Sequence, residues 1–164
     1  MKKKNRFFKS LRFRILIILV ILGIVPSVIV TRMMIGNYEK QAVAVRAGAV
    51  SNQCSILCNQ IIKENYLNDP SSEAVNGKLE MLSNVYGGRI LIVDRDFKIV
   101  KDTYHVDEGK TLVSPKIIRS FKKGEPTDYQ RKGQVIEFAV PVRSADVPQI
   151  QGAMLVTISC SEIT

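Results

Sequence analysis

Residues 134–143 read Gln-Val-Ile-Glu-Phe-Ala-Val-Pro-Val-Arg, and residues 151–160 read Gln-Gly-Ala-Met-Leu-Val-Thr-Ile-Ser-Cys. In the first stretch Ile136, Phe138, Val140 and Val142 take every second position. In the second, Met154, Val156, Ile158 and Cys160 do so, while Leu155, Thr157 and Ser159 fall between them. Side chains of an extended chain alternate between faces, so this period of two predicts two strands that each bury a face. The polar run 144–148 reads as the loop joining them, and a shorter strand is expected just before, over 127–131. Together these make a three-stranded antiparallel meander.

Upstream, Ser114-Pro115 opens a short helix through Ile117, Ile118 and Phe121 that closes on Lys122-Lys123-Gly124. A serine N-cap, proline at the first helical position, lysines at the negative end of the helix dipole and a glycine stop all point the same way. Further back, the apolar run 90–93, the turn Asp94-Arg95-Asp96 and the return over 98–103 predict a hairpin whose first strand is central. A short helix is expected over 78–86, stopped by Gly87-Gly88. Residues 33–68 contain no proline, and Val43, Ala47, Val50, Cys54, Leu57 and Ile61 recur at intervals of 4, 3, 4, 3 and 4. That stripe predicts a helix of up to about 35 residues, roughly 50 Å long, ended by Asn68-Asp69-Pro70. It has two readings: packing on the chain's own sheet, or pairing through Val43, Ala47, Val50 and Cys54 with the same helix of a second subunit.

Residues 15–31 carry no charge and are almost wholly aliphatic. At 1.5 Å per residue they span roughly 25 Å, and Phe13, Met33, Met34 and Ile35 extend that toward the thickness of a hydrocarbon core. The preceding arm holds Lys2, Lys3, Lys4, Arg6, Lys9, Arg12 and Arg14 and no acid. A cleavable signal would need a small-x-small site soon after the apolar run, but Thr31-Arg32-Met33-Met34 follows. An acid early in the helix, as in a pilin, is also missing, since the first is Glu39. An uncleaved signal anchor over 15–35 is therefore expected, with residues 1–14 in the cytoplasm and the domain from 36 to 164 outside. Of the net charge of +9, seven units lie in the first 31 residues, leaving 17 bases against 15 acids. A nearly neutral domain gives no reason to expect nucleic acid as a partner.

The whole is expected to be α+β: a membrane helix continuing into a long extracytoplasmic helix (36–68), with a mixed segment (78–160) forming one five-stranded antiparallel sheet and helices on one face. This order resembles the single-Cache, PAS-like sensor domains of bacterial membrane-bound receptors, above all sensor histidine kinases. The resemblance rests on Arg89-Ile-Leu-Ile-Val-Asp94 with Lys98-Ile-Val, on Gly109-Lys-Thr-Leu-Val-Ser-Pro115, on Ile136-Glu-Phe-Ala-Val-Pro-Val142 and on Gly152-Ala-Met-Leu-Val-Thr-Ile-Ser159. It implies an input module that passes binding of a small molecule or an extracytoplasmic protein to a cytoplasmic transmitter. The chain stops at Ser161-Glu162-Ile163-Thr164 without a second apolar run, phosphoacceptor histidine or nucleotide boxes, so a receptor's input half is expected, and not an enzyme. Chemotaxis receptors and cyclic-dinucleotide enzymes can share such an input, and an anchored accessory module without output is the alternative. Reading the gene beyond codon 164 separates these.

No cofactor or metal is expected: His105 is the single histidine, and Asp94-x-Asp96 reads as turn chemistry without the further oxygens a calcium loop needs. Cys54, Cys58 and Cys160 read as small buried residues, with a Cys54 crosslink across a dimer as the alternative. Ligands of the resembling domains lie between the sheet and the crossover. On that ground Tyr104, His105, Tyr129, Arg131 and Arg143 are the candidate contacts, the arginines and tyrosines suiting an anionic or carboxylate group.

Overall fold

The computed structural model describes residues 11–143 and 149–160. The arm up to residue 10, the expected loop 144–148 and the last four residues lie outside the described residues. The chain divides into two compact units, Met1–Ala42 and Val43–Thr164. Helix α1 (Leu11–Lys63) takes part in both.

In the first unit, Leu11–Met34 is long and apolar enough to cross a membrane, and none of its side chains is buried. It begins four residues before the expected span. Pro26 is accommodated within the helix. The hydroxyl of Thr31 donates to the Ser27 carbonyl one turn back at 2.8 Å, so this polar group asks nothing of its surroundings.

The second unit holds the rest of α1, then α2 (Glu73–Val85), β1 (Gly88–Asp94), β2 (Ile99–Asp102), α3 (Pro115–Lys123), β3 (Gln130–Lys132), β4 (Val135–Val142) and β5 (Gly152–Ser159). The strands form one antiparallel sheet in the order β2-β1-β5-β4-β3. β5 therefore joins the β1–β2 hairpin to the β3–β4 hairpin, pairing with β1 from Gly88↔Ile158 to Asp94↔Gly152 and with β4 from Val135↔Ser159 to Val142↔Gly152. The first of these ladders starts where the backbones nearly touch. A Cβ on Gly88 would run into the Thr157 carbonyl oxygen and stand 2.9 Å from Ile158 Cα, so only glycine fits.

The period-two reading holds on β4 and β5. Ile136, Phe138, Val140 and Val142 pack with Met154, Val156, Ile158 and Cys160 in one core layer against α1 and α2. The long-helix stripe joins that layer: Val43, Ala47, Val50 and Cys54 are all under 5 % exposed. These four side chains face the chain's own sheet, which corrects their assignment as a dimer seam. Helices on one face of the sheet is likewise corrected. Leu91, Val93, Ala139, Ala153 and Leu155 form a second layer on the other face, covered by Ile117 of α3 together with Phe97, Leu112 and Phe121. The unbroken run Ile90-Leu91-Ile92-Val93 states the reason, because a strand apolar at every position is covered on both faces.

Local signals set most element ends. α3 has the Ser114 cap, the proline start and a left-handed Gly124 (φ 67°) whose N–H donates to the Ser120 carbonyl. α2 starts five residues earlier than expected: Ser72 caps it by accepting from the Val75 N–H, and Val75 is the only buried residue in its first turn. β3 is shorter and later than the expected 127–131, and all three of its residues are exposed.

Candidate functional site

The outer face of the sheet changes character along the strands. Toward Asp94 and Gly152 it is apolar. Toward the start of β1 it carries a polar row, because the registers set Arg89 opposite Thr157, Thr157 opposite Glu137, and Glu137 opposite Gln130. Adjacent strands lie about 4.8 Å apart, so Arg89 and Glu137 stand roughly 10 Å apart with the threonine between them.

The Arg89 end is anchored by Asp102, a carboxylate with no exposed surface. Arg89 grips it in a fork, Nε to Oδ1 at 2.9 Å and Nη2 to Oδ2 at 2.5 Å. The backbone N–H groups of Tyr104, Val106 and Asp107 close on the same two oxygens at 2.9 to 3.0 Å. Burial acts to raise the Asp102 pKa, but the guanidinium and the three N–H groups outweigh it and hold the carboxyl well below the usual aspartate range. Arg89 Nη2 also reaches Asp107 Oδ2 at 2.6 Å, and the pair with Asp102 pushes the guanidinium pKa up. The Tyr104 ring lies 5.6 Å from the guanidinium carbon. Nη1 makes no hydrogen bond among the described residues, which leaves a donor for an incoming acceptor.

At the Glu137 end, Lys116 enters from the first turn of α3. Its Nζ donates to the Glu137 carbonyl at 2.6 Å and to Oε2 at 3.0 Å, and Lys132 approaches the same oxygen at 3.4 Å. Burial raises the Glu137 pKa, yet the two lysines bring it below the ordinary value. Further along the buried side of α3, Ser120 Oγ has no partner among the described residues. The row thus offers a cation, a hydroxyl and a carboxylate in a line, with a spare hydroxyl nearby. That set suits orientation of a small charged or zwitterionic molecule.

The five expected contact residues do not converge. Tyr104 belongs to the row, beside Arg89. His105, held at φ 55°, turns to Glu108 (Nδ1 to Oε1, 3.2 Å) and Lys101 on the exposed side of the crossover. Tyr129 and Arg131 lie at the opposite edge, four strand spacings or roughly 19 Å from β2. Arg131 also sits opposite Ile136, hence on the α1 and α2 face, with its Nε on the Gly133 carbonyl at 3.1 Å. Arg143 lines a separate hollow at the far end of β4. Asp94 Oδ1 accepts the N–H groups of Asp96 and Lys98, both at 2.9 Å, as a turn aspartate does. Arg89, Asp102, Lys116, Glu137 and Thr157 were missed. Arg89, Thr157 and Glu137 meet only through the registers of β1, β4 and β5, Asp102 through the β1–β2 pairing and Lys116 through the packing of α3, none of which a local pattern contains.

The chain is similar in fold to the sensor domain of the V. cholerae histidine kinase DctB. That match has a TM-score of 0.53 and 18% identity, and covers 81% of this chain and 58% of that chain. The chain thus spans a little over half the length of the domain it matches. An extracellular ligand binding receptor from Desulfohalobium retbaense is matched at 19% identity and TM-score 0.45, over 70% and 25% of the two chains. A sensory box sensor histidine kinase from Vibrio cholerae is matched at 18% and 0.37, over 54% and 94%. The fold likeness rests on the first of the three. No protein-family model matches the chain, and no curated protein does.

Proposed function

We propose that this chain is the sensing input module of a membrane-anchored receptor, of the sensor histidine kinase type, with its output outside these residues. The observation that carries the reading is that α1 joins a segment apolar enough to cross a bilayer to the core helix of a sensor-domain fold. The basic arm supports an orientation with the sheet outside the cell. A small molecule is taken up on the outer face of the sheet, along Arg89, Thr157 and Glu137. It acts by binding one arrangement of the sheet and helix more tightly than another, since equal affinity for both would shift nothing.

A second copy pairs with the chain along the other side of α1. Val45, Ala49, Asn52, Ile56 and Asn59 repeat at intervals of 4, 3, 4 and 3, and all are exposed. No charged residue occurs between Arg46 and Lys63, so two such faces meet without repulsion. Ile56 and Met81, both more than half exposed, add an apolar flank, and Asn52 is a polar seam residue of the kind that sets register.

The test uses the full chain in lipid nanodiscs, screened by thermal shift against small anionic and zwitterionic metabolites. Compounds that raise the melting temperature of the wild type but not of Thr157→Val are expected, with both proteins melting alike when unliganded. The ligand reading fails if every stabilising compound acts equally on both. In right-side-out vesicles, external protease is expected to cut residues after 43; full protection would overturn the orientation.

A further inference from the structure

The end of the second unit near Asp94 and Gly152 holds a concentration of positive charge that the sensing site does not use. An open hollow of about 660 Å³ is lined by Arg95 from the β1–β2 turn, Lys122 and Lys123 from the end of α3, and Arg143 from the end of β4, around Gly124 and Ile150. Three elements distant in sequence bring four cations to one rim, and no carboxylate is among the described lining residues. None of the four is ion-paired among the described residues. Arg95 is held by neutral acceptors, its Nε on the Ile150 carbonyl at 2.9 Å and its Nη2 on Gln149 Oε1 at 3.1 Å. The Arg143 guanidinium is drawn in over Gly124, where an added Cβ would meet Nη1 at 3.6 Å.

Lys122 and Lys123 have an ordinary role, offsetting the negative end of the α3 dipole. That role accounts for neither arginine, since both lie off the helix. Exposed like charges gathered on one rim raise the local positive potential, which draws anions. The bracketed segment 144–148 supplies one acid at most, Asp146, which would leave three positive charges in excess. Two forked guanidiniums and two ammonium groups match the geometry and charge of phosphoryl oxygens.

We infer that this hollow is a second binding site, for an anion carrying two or more phosphate groups. It is distinct from the row at Thr157, five residues away along β5 and so roughly 17 Å off. The α3 helix runs between the two, with Lys116 at the row and Lys123 at the hollow.

The probe is inorganic tripolyphosphate, titrated calorimetrically into the full chain in phosphatidylcholine nanodiscs at about 0.15 M salt, where surface charge is screened beyond about 8 Å. Binding at least about tenfold tighter than that of orthophosphate is expected, as several cations act on one ligand. The combined variant Lys122→Gln, Lys123→Gln and Arg143→Gln is expected to lose that preference with an unchanged melting temperature. Should it melt lower, the pair Lys122→Gln and Lys123→Gln alone serves, both sites being exposed. Neutralising Lys2, Lys3 and Lys4 to glutamine is expected to change nothing. A parallel arm sediments the disc-held chain with phosphatidylglycerol vesicles, and the arm in which the hollow variant loses binding identifies a soluble or a lipid phosphate. Tripolyphosphate and vesicle binding undiminished in the hollow variant, or abolished by the arm variant, would overturn the proposal. Either result leaves the Thr157→Val comparison untouched.

Discussion

Asp102 accepts hydrogen bonds from Arg89, Tyr104, Val106 and Asp107 with no surface exposed to water. Its carboxyl pKa is lowered on folding from the ordinary 3.8, and those of Glu137, Asp107 and Glu108 are lowered as well. A group whose folded pKa lies below its unfolded one stabilises the fold above the unfolded value and loses that contribution as pH falls through the folded one. Stability is therefore expected to fall from about pH 4 downward in urea melts, most of it through Asp102. Asp102→Asn is expected to cost about 3 kcal/mol at neutral pH, since it removes the buried charge on which the Arg89 fork and three backbone N–H groups converge and leaves Arg89 only Asp107, and to flatten the acid limb. An acid limb as steep in the variant as in the wild type would reassign the effect to the other three carboxyls.

Among the elements, α3 was legible to the residue because a serine cap, a proline start and a glycine stop act within one turn. The faces of β4 and β5 were legible because their period is set by backbone geometry. The polar row was not, since it exists only once Arg89 meets Thr157 and Thr157 meets Glu137, residues 68 and 20 positions apart. Heptad spacing on α1 was legible but ambiguous, as a helix lying on a sheet and a helix in a pair use the same interval. In the structure the stripe from Val43 to Ile61 is buried against the sheet, and Val45 to Asn59 lie exposed on the opposite side, the side proposed above for pairing. Ile56→Cys in the membrane-held chain is expected to give a disulfide-linked dimer on non-reducing gels, and Lys110→Cys, exposed in the crossover, is not. Monomer alone from both would remove the outward side as a seam.

For the molecule as a whole, the three cysteines report whether the inner layer is closed. Burial pushes the Cys54 thiol up to about 12, and burial together with Cys54 pushes Cys58 up further. All three are buried and unbridged. Maleimide at pH 8 is expected to label none of them in the native chain and all of them after unfolding, with the same urea midpoint as circular dichroism. Labelling of any one thiol below that midpoint would show a locally open core. The sheet order carries a further consequence, for biosynthesis. β5 is the seam between the two hairpins, yet the ribosome makes it after every strand it joins. Until residues 152–159 emerge, β1 and β4 each present an apolar edge with no partner. The sheet can close only through contacts spanning some seventy residues, as Gly88↔Ile158 does, which makes for slow folding and a newly made chain prone to aggregation. Those two edges are therefore expected to need shielding until residues 152–159 have been made.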